Sequence, residues 1–289
     1  MTDPIRNRKI YVTGAGGAIG GVMAEVLSAR HRVVAVDRAK GELPSADWYD
    51  TADSDAVVLH AAGPSLATPD DDPQALADLH LGLFTRLAER GWRGRLLLFS
   101  SAAVYGDPES LPVPETARLA PVNIYGRYKL LVEQKLSDLA SQAGFGLTVL
   151  RLANVYGTRL DLSRSRVIAL LIDAARRGTP FITHGDGKGL RDYLHVSDLG
   201  RAIGPAMAAE PAVLNLGSGI GTSLNDLRAA IESVLEVRMN QLHGSPRPEA
   251  ASNVLDITRA QELLGWRPRV SLDTGLRRLA AGDFRTTVL

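Results

Sequence analysis

The sequence predicts an α/β fold: a doubly wound parallel sheet covered by crossover helices, with a smaller lobe in the C-terminal part. Short apolar runs alternate with segments of helical apolar spacing through the first two-thirds of the chain, the pattern of strands buried on both faces. A glycine-rich turn sits at the first strand-to-helix junction. The last third changes character, with Pro205, Pro211, Pro246, Pro248 and Pro268 interrupting it and short helices such as 224–235. In order, the candidate strands are 10–13, 33–37, 57–60, 96–100, 147–152 and 213–216. Helical spacing covers 19–29, 73–90, 124–143 and 167–177, with Gly144 and Gly178 placed as C-terminal glycines. Trp48-Tyr49 reads as a further strand, yet only residues 50–56 separate it from Val57. A parallel crossover needs about a dozen residues or more, so this flank is expected to be trimmed to a loop.

Composition narrows the function classes. A formal net charge of +1 gives no electrostatic reason to expect nucleic acid or an anionic membrane as partner. The absence of cysteine excludes disulfides, thiolate metal sites and cysteine nucleophiles. No ligand set for a metal stands out. The start is polar and leads directly into a strand, and no apolar run approaches the ~20 residues that span a bilayer. A soluble cytoplasmic protein is expected.

The run Val12-Thr13-Gly14-Ala15-Gly16-Gly17-Ala18-Ile19-Gly20 ends the first strand and opens the first helix. Gly14, Gly17 and Gly20 permit a tight turn, close approach of backbone to a pyrophosphate and close helix–strand packing. The amides around Gly16, Ala18 and Ile19 then offer free N–H groups and the positive end of the helix dipole. Asp37 ends the second strand, where a carboxylate accepts from a ribose 2′-hydroxyl and repels a 2′-phosphate. That favours NAD over NADP, with Arg38 beside it pulling the other way. The fold class is therefore a Rossmann-type unit over 1–157, completed by about 190–219. Residues 158–189 and 220–289 are expected to form the smaller lobe, the candidate place for a substrate.

Tyr125-Gly126-Arg127-Tyr128-Lys129 places a phenol and an ammonium one helical turn apart, on one face if the segment is helical. A free tyrosine has a pKa of about 10 and is a poor base. A nearby lysine charge favours the phenolate and brings it toward the working range. Ser101, from a different segment, offers a hydroxyl to hold the substrate oxygen whose proton the tyrosine takes.

These segments, in this order, resemble an extended short-chain dehydrogenase/reductase of the NAD-dependent nucleotide-sugar epimerase/dehydratase family, in its UDP-glucose 4-epimerase-like branch. The resemblance runs through Thr13–Gly20, His60-Ala61-Ala62-Gly63, Ser100-Ser101-Ala102-Ala103-Val104-Tyr105-Gly106 and the Tyr125/Lys129 pair. It continues through Arg151-Leu152-Ala153-Asn154-Val155-Tyr156-Gly157, Gly185-Asp186-Gly187, Arg191-Asp192-Tyr193-Leu194-His195-Val196-Ser197-Asp198, Asn215-Leu216-Gly217-Ser218-Gly219 and Leu264-Gly265-Trp266-Arg267-Pro268. It implies that Tyr125 is the acid/base, that Lys129 lowers its pKa and holds the nicotinamide ribose, and that Ser101 bonds the reacting sugar oxygen. It further implies that His60, Ala61, Ala62 and Gly63 line the cofactor path, and that Asn154, Arg191 and Arg247 meet the sugar-nucleotide diphosphate. Guanidinium groups suit that task as fixed bidentate donors. His195 is read as structural. A nucleotide-sugar substrate and a two-fold homodimer built on 73–90 and 124–143, through Leu79, Leu83, Leu131 and Leu139, complete what the resemblance implies.

Ala102 and Ala103 stand where dehydratases of this family place an acidic pair, and a methyl group transfers no proton. The reading is therefore an NAD-dependent epimerase acting at C4 through a 4-keto sugar. The alternatives are a nucleotide-4-ketosugar reductase of the same family and a non-catalytic dinucleotide-binding regulator. Ala250 replaces the aspartate usual near the nucleotide ribose, Thr158 replaces a proline, 160–166 is short, and Leu79 or His80 replaces an asparagine on the helix before the Ser101 strand. These departures leave the nucleotide and the sugar open.

Overall fold

A computed structural model describes residues 9–37, 48, 52–63, 71–158, 167–245 and 252–284. Strand β1 (Lys9–Thr13) pairs in parallel with β2 (Arg32–Val36) on one side and β3 (Val57–His60) on the other. Beyond β3 lie β4 (Arg95–Ser101), β5 (Gly146–Leu152) and β9 (Val213–Leu216), giving a six-stranded parallel sheet of order β2-β1-β3-β4-β5-β9. Successive side chains point to opposite faces of a strand, and the two cores divide accordingly. Ile10, Val12, Leu97 and Phe99 share one cluster with Met23 and Leu27 of α1 (Ala18–Ser28) and Leu199 and Ile203 of α5 (Val196–Ala208). Tyr11, Leu96 and Leu98 share the other with Phe84 and Leu87 of α2 (Pro73–Glu89) and Tyr128 and Val132 of α3 (Ile124–Ala143). Helices thus cover both faces, as expected for a doubly wound sheet.

Local chemistry sets the helix ends. Asp72 caps α2 by accepting from the Gln74 amide at 2.9 Å, with Pro73 as the first helical residue. Asn123 caps α3 by accepting from the Gly126 amide at 2.8 Å, and Gly144 closes that helix in the left-handed region.

Five further strands were not read from the sequence. β6 (Asn154–Tyr156), β8 (Leu190–His195) and β10 (Gly221–Ser223) form a second sheet of order β10-β8-β6. β7 (Phe181–His184) and β11 (Gln241–Gly244) pair in parallel as a third. A third cluster joins Ile168 and Leu171 of α4 (Val167–Arg177), Leu227 and Ile231 of α6 (Leu224–Leu235), and Leu276 of α8 (Leu272–Ala280). After α7 (Thr258–Leu264), Trp266 returns to the first core and its indole donates to the Asp198 carbonyl at 2.9 Å.

Trp48 lies in a turn rather than a strand, buried with its ring 5.1 Å from that of Tyr11; Tyr49 lies outside the described residues. Residues 52–56 carry no helix, and β2 is the sheet edge among the described residues. No helix among the described residues is long and apolar enough to cross a membrane.

Candidate active site

The glycine-rich turn is locked to the end of β2, with the amides of Gly14 and Ala15 both donating to the Val36 carbonyl, at 2.9 and 3.2 Å. Gly14 has φ +75°, and a side chain there would begin 2.7 Å from the Ala62 amide nitrogen. The turn therefore lies flush on the 60–63 segment. Asp37 follows β2 directly and its carboxylate rests against Gly16, closer than any side chain there would permit. Helix α1 has no side-chain cap, so its first-turn N–H groups are left for water or a ligand. A glycine turn packed closely on backbone, an uncapped helix N-terminus and a carboxylate beside it fit a dinucleotide.

The helix α3 lies against the end of β4. A side chain at Gly126 would meet the Ala103 carbonyl oxygen at 2.5 Å, so glycine lets the helix start press onto the 3-10 turn Ala102–Tyr105. Ser101 caps that turn, its hydroxyl accepting from the Ala103 amide at 3.2 Å. Tyr125 and Lys129 share one face of α3. The Lys129 ammonium is buried, donates to the Phe99 carbonyl at 2.9 Å, and stands 5.8 Å from the centre of the Tyr125 ring. Burial pulls its pKa down to about 8, against the opposing charge of Glu133.

Sequence reasoning missed Glu133, one further turn along the same face. Its buried carboxylate accepts from the Ser100 hydroxyl and pairs with Arg151 at 2.8 Å, both side chains under a tenth exposed. Arg151 also donates to the Tyr105 hydroxyl at 3.0 Å, which itself donates to Asn215 at 2.7 Å. The network braces the ends of β4, β5 and β9 beneath Ser101. The continuation of the 125/129 spacing to 133 was the available signal.

Asn154 and Arg191 stand on the neighbouring strands β6 and β8. Asn154 is exposed and its amide donates to the Asp192 carbonyl at 3.1 Å; Arg191 donates to the Leu190 carbonyl at 3.0 Å. Asp192, also without an assigned role, accepts from the amides of Ser218, Gly219 and Leu255, at 2.7, 3.0 and 3.3 Å, and from the Ser218 hydroxyl at 2.6 Å. It ties the 217–219 turn to β8. His195 caps α5 by accepting from the Ser197 amide, and burial pushes its pKa down to about 4. His60 ends β3 with its ring enclosed and both nitrogens bonded inside the protein, so its turn offers backbone rather than imidazole to the cleft. Arg38 and Arg247 lie outside the described residues.

A parallel doubly wound sheet, a glycine-rich turn after β1 and a Tyr–Lys helix beside β4 define a short-chain dehydrogenase/reductase. The chain belongs to the NAD dependent epimerase/dehydratase family, which residues 10–217 match. It is 31% identical to the UDP-glucose 4-epimerase of Rhizobium meliloti (strain 1021), over 93% of this chain and 94% of that protein. Its structure is similar to that of the UDP-glucose 4-epimerase of Thermotoga maritima with UDP-glucose, with a TM-score of 0.80 and 28% identity over 97% of this chain and 100% of the other. MoeE5 in complex with UDP-glucuronic acid and NAD gives a TM-score of 0.83 at 28% identity, over 97% of this chain and 99% of that one.

Proposed function

We propose that the protein is an NAD-dependent nucleotide-sugar epimerase acting at C4 through a transient 4-keto sugar. The observation that carries the reading is the buried Lys129 ammonium on the face of α3 that bears Tyr125. An enclosed cation favours a nearby phenolate far more than a solvated one does. Tyr125 takes the proton of the C4 hydroxyl and returns it at the end of the cycle, while Ser101 holds the same oxygen. Held there, NAD would supply the hydride chemistry at C4, serving first as acceptor and then as donor to the opposite face of the ketone. Gly14, Gly16, Gly17, Ala18, Ile19 and Gly20 hold its pyrophosphate; Asp37 and Arg38 meet its ribose; the 60–63 turn flanks it. Asn154, Arg191 and Arg247 take the substrate diphosphate, in a lobe formed by 158–189 and 220–289.

Ala102 and Ala103 leave no acid to expel a hydroxyl, which argues against dehydration. The names of the relatives support a UDP-sugar. The test is to incubate the protein with NAD and UDP-glucose and to follow UDP-galactose. Interconversion without net accumulation of NADH supports epimerisation, whereas stoichiometric consumption of reduced cofactor with a 4-keto sugar supports the reductase.

A cytoplasmic homodimer is part of the reading. Leu79 on α2 is 49% exposed, and Leu83, Leu131 and Leu139 are partly exposed on the same pair of helices. These apolar side chains suit an isologous interface. Sedimentation at micromolar concentration should give a dimer, and a monomer refutes it.

A further inference from the structure

Four side chains from four elements form a hydrogen-bonded chain beside the cleft. The Thr13 hydroxyl on β1 meets His60 Nδ1 at 2.6 Å, His60 Nε2 meets His80 Nδ1 on α2 at 2.6 Å, and His80 Nε2 meets the Tyr128 hydroxyl on α3 at 2.7 Å. All four are nearly or wholly enclosed: Thr13 0%, His60 1%, His80 4% and Tyr128 0% exposed. The far end of the chain returns to the segment that carries His60, because the Tyr128 hydroxyl stands where a side chain on Gly63 would begin. The chain thus meets the 60–63 segment twice, at His60 and at Gly63. That turn is the wall on which Gly14 rests.

The chemistry requires a histidine-like group in the middle. A neutral imidazole donates at one nitrogen and accepts at the other. If Thr13 donates to His60, then His60 Nε2 donates to His80 and His80 Nε2 to Tyr128; the reverse polarity closes equally well. Each link holds one proton while both rings are neutral. Among the described residues, the side chains facing the two rings include Thr13 from β1, Phe84 from α2, and Tyr128 and Lys129 from α3. An added proton would place a cation beside the Lys129 ammonium in an enclosed site.

We propose that His80 is a positioning residue: by bridging His60 to Tyr128 it clamps the 60–63 turn against the glycine-rich turn and preorganises the cleft for a dinucleotide. The inference rests on the reading that this cleft takes NAD. Burial, the neighbouring His80 ring and the Lys129 charge hold His60 well below its ordinary pKa, so its ring stays neutral in the working range.

The test is NAD affinity by titration calorimetry on nucleotide-free protein, with circular dichroism as the check on folding. His80→Phe keeps a ring but no hydrogen bond and should weaken NAD about tenfold, the scale on which a lost buried partner acts. His80→Gln offers an amide donor and acceptor and should restore affinity to within a few-fold. Tyr128→Phe, which keeps the ring packing, should weaken NAD as His80→Phe does and decides the matter if the latter misfolds. Wild-type affinity should stay level as the pH drops through about 6.5, where a free imidazole takes up its proton, because His60 is held neutral there. A wild type that binds NAD, with Tyr128→Phe and His80→Phe binding equally well, overturns the clamp alone. So does a folded His80→Gln as weak as His80→Phe. A wild type that binds no NAD overturns the cofactor reading and the clamp with it.

Discussion

Removing the Glu133 carboxylate should be among the costliest single changes in this chain. The carboxylate holds Arg151 through contacts at 2.8 and 3.2 Å and accepts from the Ser100 hydroxyl. With both partners under a tenth exposed, solvent does not screen the pair. Glu133→Ala leaves a desolvated guanidinium whose remaining partners are the Tyr105 hydroxyl and the Glu115 carbonyl. Breaking a buried pair from one side costs about 3–5 kcal/mol. At about 2–4 °C per kcal/mol for a domain approaching this size, the melting temperature should fall by on the order of 10 °C. Glu133→Gln keeps the shape and some of the hydrogen bonds and should cost less. The double change Glu133→Leu with Arg151→Met removes both charges and should recover much of the loss. Glu133 also favours the charged form of Lys129, so its loss should shift the alkaline decline of activity to lower pH. Urea unfolding at neutral pH, with a pH–rate profile of Glu133→Gln, measures both. A loss below about 1 kcal/mol in Glu133→Ala, or a double variant as unstable as the single, would refute the reasoning.

Lys129 makes a linkage prediction for the nucleotide-free protein. Its folded pKa of about 8 lies below the usual 10.5. Between those values the unfolded chain holds a proton that the folded chain has shed, so this group makes stability rise with pH across the window. Comparing urea midpoints of wild type and Lys129→Met from neutral to alkaline pH should show that rise in wild type only. Asp192→Asn replaces a carboxylate that accepts four hydrogen bonds from the 217–219 turn and Leu255 with an amide that accepts fewer. It should cost about 1–3 kcal/mol and raise hydrogen exchange at the Ser218 and Gly219 amides, which unchanged exchange would contradict.

The sheet was legible because strands buried on both faces leave uninterrupted apolar runs. The six expected strands sit where expected, their ends moving by a residue at most, as from 96–100 to Arg95–Ser101. The Tyr125/Lys129 face was legible because helical spacing alone puts the two side chains together. What escaped depends on which element lies beside which. β6, β8 and β10 are only three to six residues long, and β6 and β8 fall largely within stretches read as motif rather than strand, since each is shaped by its neighbours more than by its own residues. Arg151 was seen inside a motif, but its partner Glu133 is on another element and only the packing of α3 on β5 joins them. His80 was noticed only as the wrong residue for its place. Its bonds to His60 and Tyr128 require the relative placement of β3, α2 and α3, which no local pattern encodes. Trp48 was misjudged as strand because an aromatic run carries strand propensity, whereas here the indole fills the space beside Tyr11 from a turn.

The most direct test of the central claim is the effect of Tyr125→Phe on the interconversion of UDP-glucose and UDP-galactose, measured beside NAD affinity. The ring is retained and only the phenolic oxygen is removed, so fold and NAD binding should be those of wild type. Turnover should fall by about 10²–10⁴, the usual contribution of a positioned acid/base. Turnover within a few-fold of wild type, with NAD binding unchanged, would contradict the assignment of Tyr125 as the group that moves the proton.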